Sequence, residues 1–194
     1  MRSGGDKPAT IALAAVCVGA ALTVAAATLA LEHASVVAPT AIDAPVRQTL
    51  LIPMPGQRLR MHTVLLRPRG DGPFPLAVIN HGSSQSSWER ASFKPPEYHA
   101  LTRWFLERGY VVALPVRPGH APTGGPYFED QGRCATVDYE KAGRAVAQAI
   151  VDVIDFLTAE PFVKKSGVVV VGQSAGGWGA LALASRNPRA VGMI

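Results

Sequence analysis

The stretch Val168-Val169-Val170-Val171-Gly172-Gln173-Ser174-Ala175-Gly176 sets four consecutive β-branched residues against a Gly-x-Ser-x-Gly pattern that leads into an alanine- and leucine-rich segment. A continuous β-branched run without alternation predicts a strand covered on both faces. The pattern after it predicts a tight strand-to-helix turn that holds a serine hydroxyl out of the surface, with glycines two before and two after because side chains there would collide. Ser174 is therefore the candidate nucleophile, and Gly172 and Gly176 are its supports. The competing reading of Ser174 is an ordinary helix N-cap. Gly177 and Gly179 predict close packing of the following helix on the sheet, with Trp178 in the core.

Two more apolar runs, Leu76–Ile79 and Tyr110–Leu114, have the same buried-strand character. Helical patterns separate the runs. The first holds Pro96 near its start, Leu101, Trp104, Phe105 and Arg108 at helical spacing, and Gly109 after its end. The second spans about Asp138 to Ala159, with Val146, Ile150, Val153 and Leu157 as its apolar stripe and Pro161 as its stop. Asp138, Asp152 and Asp155 read as a cap and a solvated face. The third runs from Ala175 to about Asn187. Strands alternating with helices predict a doubly wound, mostly parallel α/β sheet with helices on both faces. Arg47–Pro53 and Leu59–Pro68, joined through Pro55-Gly56, predict an antiparallel opening hairpin. Ala190–Ile194 reads as a further, sixth strand. The longest stretch without periodicity, Val116–Val137, has the length of a functional loop.

Composition excludes several classes. The 194 residues carry 19 Lys+Arg against 14 Asp+Glu, a formal charge of +5, 48% hydrophobic residues and two cysteines. That balance is globular, and two cysteines, one in the apolar leader, make neither a disulfide framework nor a cysteine zinc site. Beyond Arg2 and Lys7 the basic residues are scattered from Arg47 to Arg189, with only Lys164-Lys165 adjacent. No basic stripe or recognition motif supports nucleic-acid binding. No His/Asp/Glu spacing suggests a metal, and no cofactor is expected. Cys134 stands in the long loop as a lone thiol, and a lone loop thiol does not read as the nucleophile. Export predicts that it is a free thiol or pairs beyond Ile194.

Residues 1–38 read as a signal peptide or N-terminal membrane anchor, 39–45 as a linker, and 46–194 as the catalytic-type domain. Ala9–Leu31 contains no charged residue and follows Arg2 and Lys7. A positive flank before an apolar run marks export, while the length of the run also suits a membrane span. The expected location is thus exported, either periplasmic or extracellular, or membrane-anchored if the segment is uncleaved. A buried alanine-rich helix is the alternative.

Asn80-His81-Gly82-Ser83 at the end of one strand, Arg117-Pro118-Gly119-His120 after another, and the Gly172–Gly176 turn with Gly177-Trp178-Gly179-Ala180 together resemble an α/β-hydrolase of the dienelactone hydrolase or esterase/acylaminopeptidase branch. The resemblance covers Val46–Ile194. It implies a serine hydrolase whose Ser174 forms an acyl-enzyme on ester, lactone or related acyl bonds of a small-molecule substrate. It also implies that the amides of Ser83 and Ala175 meet the oxyanion, with His81 and Gly82 shaping the loop and the side chains of Ser83 and Ala175 idle.

In such hydrolases the acid and the histidine follow the nucleophile, but all five histidines here precede it. The chain is therefore expected to be a C-terminally truncated copy of the fold, inactive by itself. His62 falls on a strand, His99 in the first helix and His33 in the leader or linker. His120 is left as a substitute base, a pocket wall or a solvated turn, and Arg117 with His120 as a site for an anionic substrate group. A non-catalytic, membrane-tethered binding module and acyl transfer or amide cleavage on the same fold are the rival functions.

Overall fold

A computed structural model describes residues 44–186 and 190–193. The leader and all of the linker but Ala44 and Pro45 lie outside these residues. Val46–Pro53 (β1) and Arg60–Arg67 (β2) form the antiparallel hairpin. Leu76–Asn80 (β3), Val111–Pro115 (β4), Val168–Gly172 (β5) and Ala190–Met193 (β6) complete a six-stranded sheet in the order β1-β2-β4-β3-β5-β6. β2 meets β4 antiparallel, and the pairs from β4 through β3 and β5 to β6 are parallel. After β3 the chain lays β4 on one side of it and β5 on the other. This reversal opens a crevice at the strands' carboxyl ends, where ligands bind in open α/β sheets.

The helices are Ser87–Ala91 (α1), His99–Leu106 (α2), Tyr139–Thr158 (α3) and Ala175–Ala184 (α4). Alternate residues of the central strands serve opposite faces. Leu76, Val78, Val111, Ala113, Val168 and Val170 pack with Val146, Ile150, Val153 and Leu157 of α3 and with Ala180 and Leu183 of α4. Ala77, Ile79, Val112, Leu114 and Val171 pack with Phe105 and Leu106 of α2. Burial on both faces explains why these strands read as unbroken apolar runs. The α3 N-terminus is capped as its sequence predicts, with Asp138 Oδ1 accepting the Lys141 N–H at 2.8 Å.

Three local expectations need correction, and one element had none. The one-turn α1 was not foreseen, because five residues give no periodicity to read. The third helix ends at Ala184, short of Asn187. Asp152 is buried rather than solvated. It accepts a hydrogen bond from Gln148 Nε2 at 3.0 Å, and burial raises its pKa above the usual carboxylate value. Gly179 serves helix-on-helix contact rather than the sheet, since a Cβ there would lie 2.0 Å from Val146 Cγ1 on α3.

Overpacking at such a site costs about 1–3 kcal/mol, more than the roughly 1 kcal/mol of helix propensity that alanine gains over glycine. Gly179→Ala should therefore lower stability in urea unfolding, and the same change made in a Val146→Ala background should recover only part of that loss, because the Cβ of residue 146 would still lie 2.5 Å from the new methyl.

Candidate active site

Ser174 sits between β5 and α4 at φ 52°, ψ −119°, a backbone state that costs a non-glycine residue of order 1–3 kcal/mol. The glycines around it make the turn sterically possible. A Cβ on Gly172 would lie 2.3 Å from the Gly176 carbonyl, and one on Gly176 would lie 2.5 Å from Asn80 O and 2.7 Å from His81 O. Ser174 is exposed, and its side chain makes no capping hydrogen bond, so the N-cap reading has no support.

The loop after β3 crosses directly over the serine. A Cβ on Gly82 would lie 3.3 Å from Ser174 Cβ. The N–H groups of Ser83 and Ala175 have no hydrogen-bond acceptor among the described residues, and that of Ala175 is one of the free donors at the start of α4. Serine, Gly82, Ser83 and Ala175 are thus brought together. Ser174, Ser83 and Ala175 border a cleft of about 390 Å³ whose walls include Gln85, Tyr127, Glu129, Tyr139 and Trp178. A second cleft, of about 370 Å³ around Arg47, Glu97 and Arg103, holds no nucleophile.

His81 is fixed by two bonds. Its Nε2 accepts the Arg117 N–H at 3.0 Å, so the proton sits on Nδ1, which donates to Gly82 O at 2.6 Å. Burial, with the Arg117 charge adding to it, pushes the His81 pKa down to about 2.

Arg117 does not stand free for an anionic substrate. It is 1% exposed, and its Nε and Nη2 bond Glu129 Oε1 and Oε2 at 3.0 and 3.1 Å. His120 is 1% exposed and so is no solvated turn. Its Nε2 reaches Ser83 Oγ at 2.9 Å, and no described side chain hydrogen-bonds Ser174 Oγ. Burial lowers the His120 pKa, with Glu129 opposing that shift. The Ser83 side chain, expected to be idle, bonds both His120 and the Tyr127 hydroxyl.

Trp178, expected in the core, is 45% exposed and lines the cleft, its indole N–H donating to Tyr139 O at 2.7 Å. Gly143 makes room for it, since a Cβ there would lie 2.6 Å from Trp178 Nε1. Sequence reading missed Tyr127 and Glu129. The only signal for them was the length of the Val116–Val137 loop that carries both. Among the described residues no group of three His, Cys, Asp or Glu side chains is placed to hold a metal ion, and no helix is long and apolar enough to cross a membrane.

Residues 76–194 match the Alpha/beta hydrolase family. No curated protein matches the chain. Among solved structures, an alpha/beta hydrolase of Penicillium sp. sh18 is 17% identical with a TM-score of 0.57, over 76% of this chain and 44% of that one. A dienelactone hydrolase of Anabaena variabilis is 17% identical with a TM-score of 0.50, over 78% and 62%. An acetyl xylan esterase of Paenibacillus sp. R4 is 19% identical with a TM-score of 0.50, over 75% and 52%. At these identities the likeness is one of fold. The chain spans less than two thirds of each of these proteins.

The buried histidine makes a prediction. A histidine whose folded pKa is about 2 stays neutral in the folded chain while the unfolded chain binds a proton below about 6.5. Stability then falls as pH drops from about 6.5 toward 2, by about 1.4 kcal/mol per pH unit for that one group, and His120 shifts in the same direction. Urea unfolding between pH 7 and 4 should show this loss, with a shallower slope in His81→Gln, whose side-chain oxygen can still accept the Arg117 N–H.

Proposed function

The chain belongs to the alpha/beta hydrolase family, and from that premise we propose that it is the nucleophile-bearing part of a serine hydrolase that cleaves ester, lactone or related acyl bonds. The observation that carries this reading is the exposed Ser174, held in a strained backbone state beneath two amides without acceptors. In the proposed reaction Ser174 Oγ attacks the acyl carbon and its proton passes to a general base. The carbonyl oxygen becomes an oxyanion that takes hydrogen bonds from the Ser83 and Ala175 N–H groups. The intermediate then expels the alcohol and leaves an acyl-serine, which water hydrolyses. The α4 terminus adds its dipole to the Ala175 donor.

A serine hydroxyl is a weak nucleophile without a base, and no described side chain reaches Ser174 Oγ. We assign the base to residues outside 44–186 and 190–193. His120 does not take this role, because its acceptor nitrogen is engaged by Ser83. The same gap favours a second reading, a binding module on this fold that performs no chemistry. The leader would place either protein outside the cytoplasm or on a membrane.

A fluorophosphonate probe applied to the whole protein should label Ser174. Ser174→Ala should abolish labelling and lower p-nitrophenyl ester turnover by roughly 10³-fold or more. Labelling absent from the whole, folded protein would establish the binding module instead. The 194-residue chain alone should hydrolyse such esters no faster than its Ser174→Ala form. Clear Ser174-dependent turnover would place the base among its own side chains.

A further inference from the structure

Three successive residues of the loop above Ser174 are pinned, each by a different group. Gly82 is held through its carbonyl by His81 Nδ1 at 2.6 Å, and Ser84 through its carbonyl by Arg90 Nη1 at 2.8 Å. Ser83, between them, is held through its side chain, with Oγ 2.9 Å from His120 Nε2 and 2.9 Å from the Tyr127 hydroxyl. Gln85 Nε2 donates to that same hydroxyl at 3.0 Å, and the Arg90 guanidinium lies 3.6 Å over the Tyr127 ring.

Donor counting fixes the direction of this chain of bonds. His120 Nδ1 faces the carbonyls of Arg117 and Pro118 at 3.3 and 3.2 Å and Glu129 Oε1 at 3.7 Å. Carbonyls and carboxylates accept only, so Nδ1 carries the proton of the buried, neutral ring and Nε2 is an acceptor. Ser83 must then donate to His120. Tyr127 donates to Ser83, and Gln85 donates to Tyr127. Every link points the same way, ending on buried carbonyls. The Ser83 Oγ is left with one proton committed and one lone pair occupied, which fixes the side-chain torsion and with it the residue that presents the amide over Ser174.

We propose that Ser83 is a positioning residue, whose hydroxyl, anchored on His120 Nε2 and locked by Tyr127, aims its own backbone N–H at the oxyanion formed on Ser174. His120 on this account is the anchor of the oxyanion loop and not a base. The inference rests on the reading of Ser174 as the nucleophile, while the anchoring itself does not depend on catalysis.

The test uses the whole protein with Ser83→Ala, Tyr127→Phe, His120→Leu and His120→Gln, the last keeping an oxygen that can accept the Ser83 proton. With ¹⁵N-labelled histidine, NMR should show His120 neutral and protonated on Nδ1, with an Nε2 resonance that moves in Ser83→Ala. In ester hydrolysis, Ser83→Ala should lose about 10–100-fold in kcat with KM nearly unchanged, since a misaimed donor weakens the transition state and not substrate binding. Tyr127→Phe should lose less. His120→Gln should recover most of what His120→Leu loses, a rescue that simple loss of packing would not give.

The proposal is overturned by a proton on His120 Nε2, by an Nε2 resonance indifferent to Ser83→Ala, or by unchanged kcat in Ser83→Ala. Should the histidine variants fail to fold, Ser83→Ala and Tyr127→Phe carry the kinetic arm. Absence of Ser174-dependent turnover in the wild-type protein would instead sink the serine-hydrolase reading, and the NMR arm would still decide the anchoring.

Discussion

The contact on which the site depends is the approach of the Gly172–Gly176 turn to the end of β3. Backbone meets backbone there at distances that no side chain permits. Only that approach lets β5 turn into α4 within two residues and leaves Ser174 at a positive φ with its hydroxyl outward. The approach is fastened from the β3 side. The Gln173 N–H donates to Asn80 O at 3.0 Å, and Asn80 Nδ2 donates to Val171 O at 3.1 Å, so one buried residue ties the ends of both strands. The strain at Ser174 is sustained by neighbours that are themselves fixed, which is the condition under which such conformations persist.

The roof of the site is held by buried polar groups rather than by apolar packing. Arg117 and Glu129 are 1% and 5% exposed. Bringing such a pair out of water costs several kcal/mol per ion unless geometry and additional bonds offset it. The two-pronged match at 3.0 and 3.1 Å supplies that geometry. What the pair does for the fold is spatial. The backbone N–H of Arg117 fixes His81, the Glu129 carboxylate faces His120, and the loop between them brings Tyr127 to Ser83. An apolar replacement could fill the volume, and the backbone groups of residues 117 and 118 would still face both imidazoles, but it would remove the carboxylate that faces His120.

The architecture was legible because burial writes itself into composition. Val168–Val171, Leu76–Ile79 and the stripe on α3 each carry the period of the element they form, and glycine spacing around Ser174 reflects a backbone clash that is local in sequence. The environment of Arg117, His120 and Trp178 was not legible, for one physical reason. Whether a charged or aromatic side chain faces solvent, substrate or a partner is decided by residues distant in the chain, such as Glu129 for Arg117, Ser83 for His120, and Gly143 with Tyr139 for Trp178. Asp152 was misread in the same way, because the buried face of α3 extends past its apolar stripe and takes in Asp152 beside Val153.

Strain in this fold is paired as well as local. Among the described residues, the non-glycine positions with positive φ are Tyr98, at 45°, and Ser174, at 52°. Each immediately precedes a helix, α2 and α4, and neither caps that helix with its side chain. They are joined through Gln173, whose Oε1 accepts the Tyr98 hydroxyl proton at 2.7 Å. A capping side chain would turn inward to the helix's own N–H groups. At these two positions the side chains are turned outward instead, one to brace the elbow and one to stand in the cleft. The Ala175 N–H at the start of α4 is thereby left for whatever negative charge arises beside Ser174, and backbone strain and the electrostatics of the site have a common origin in one residue of positive φ.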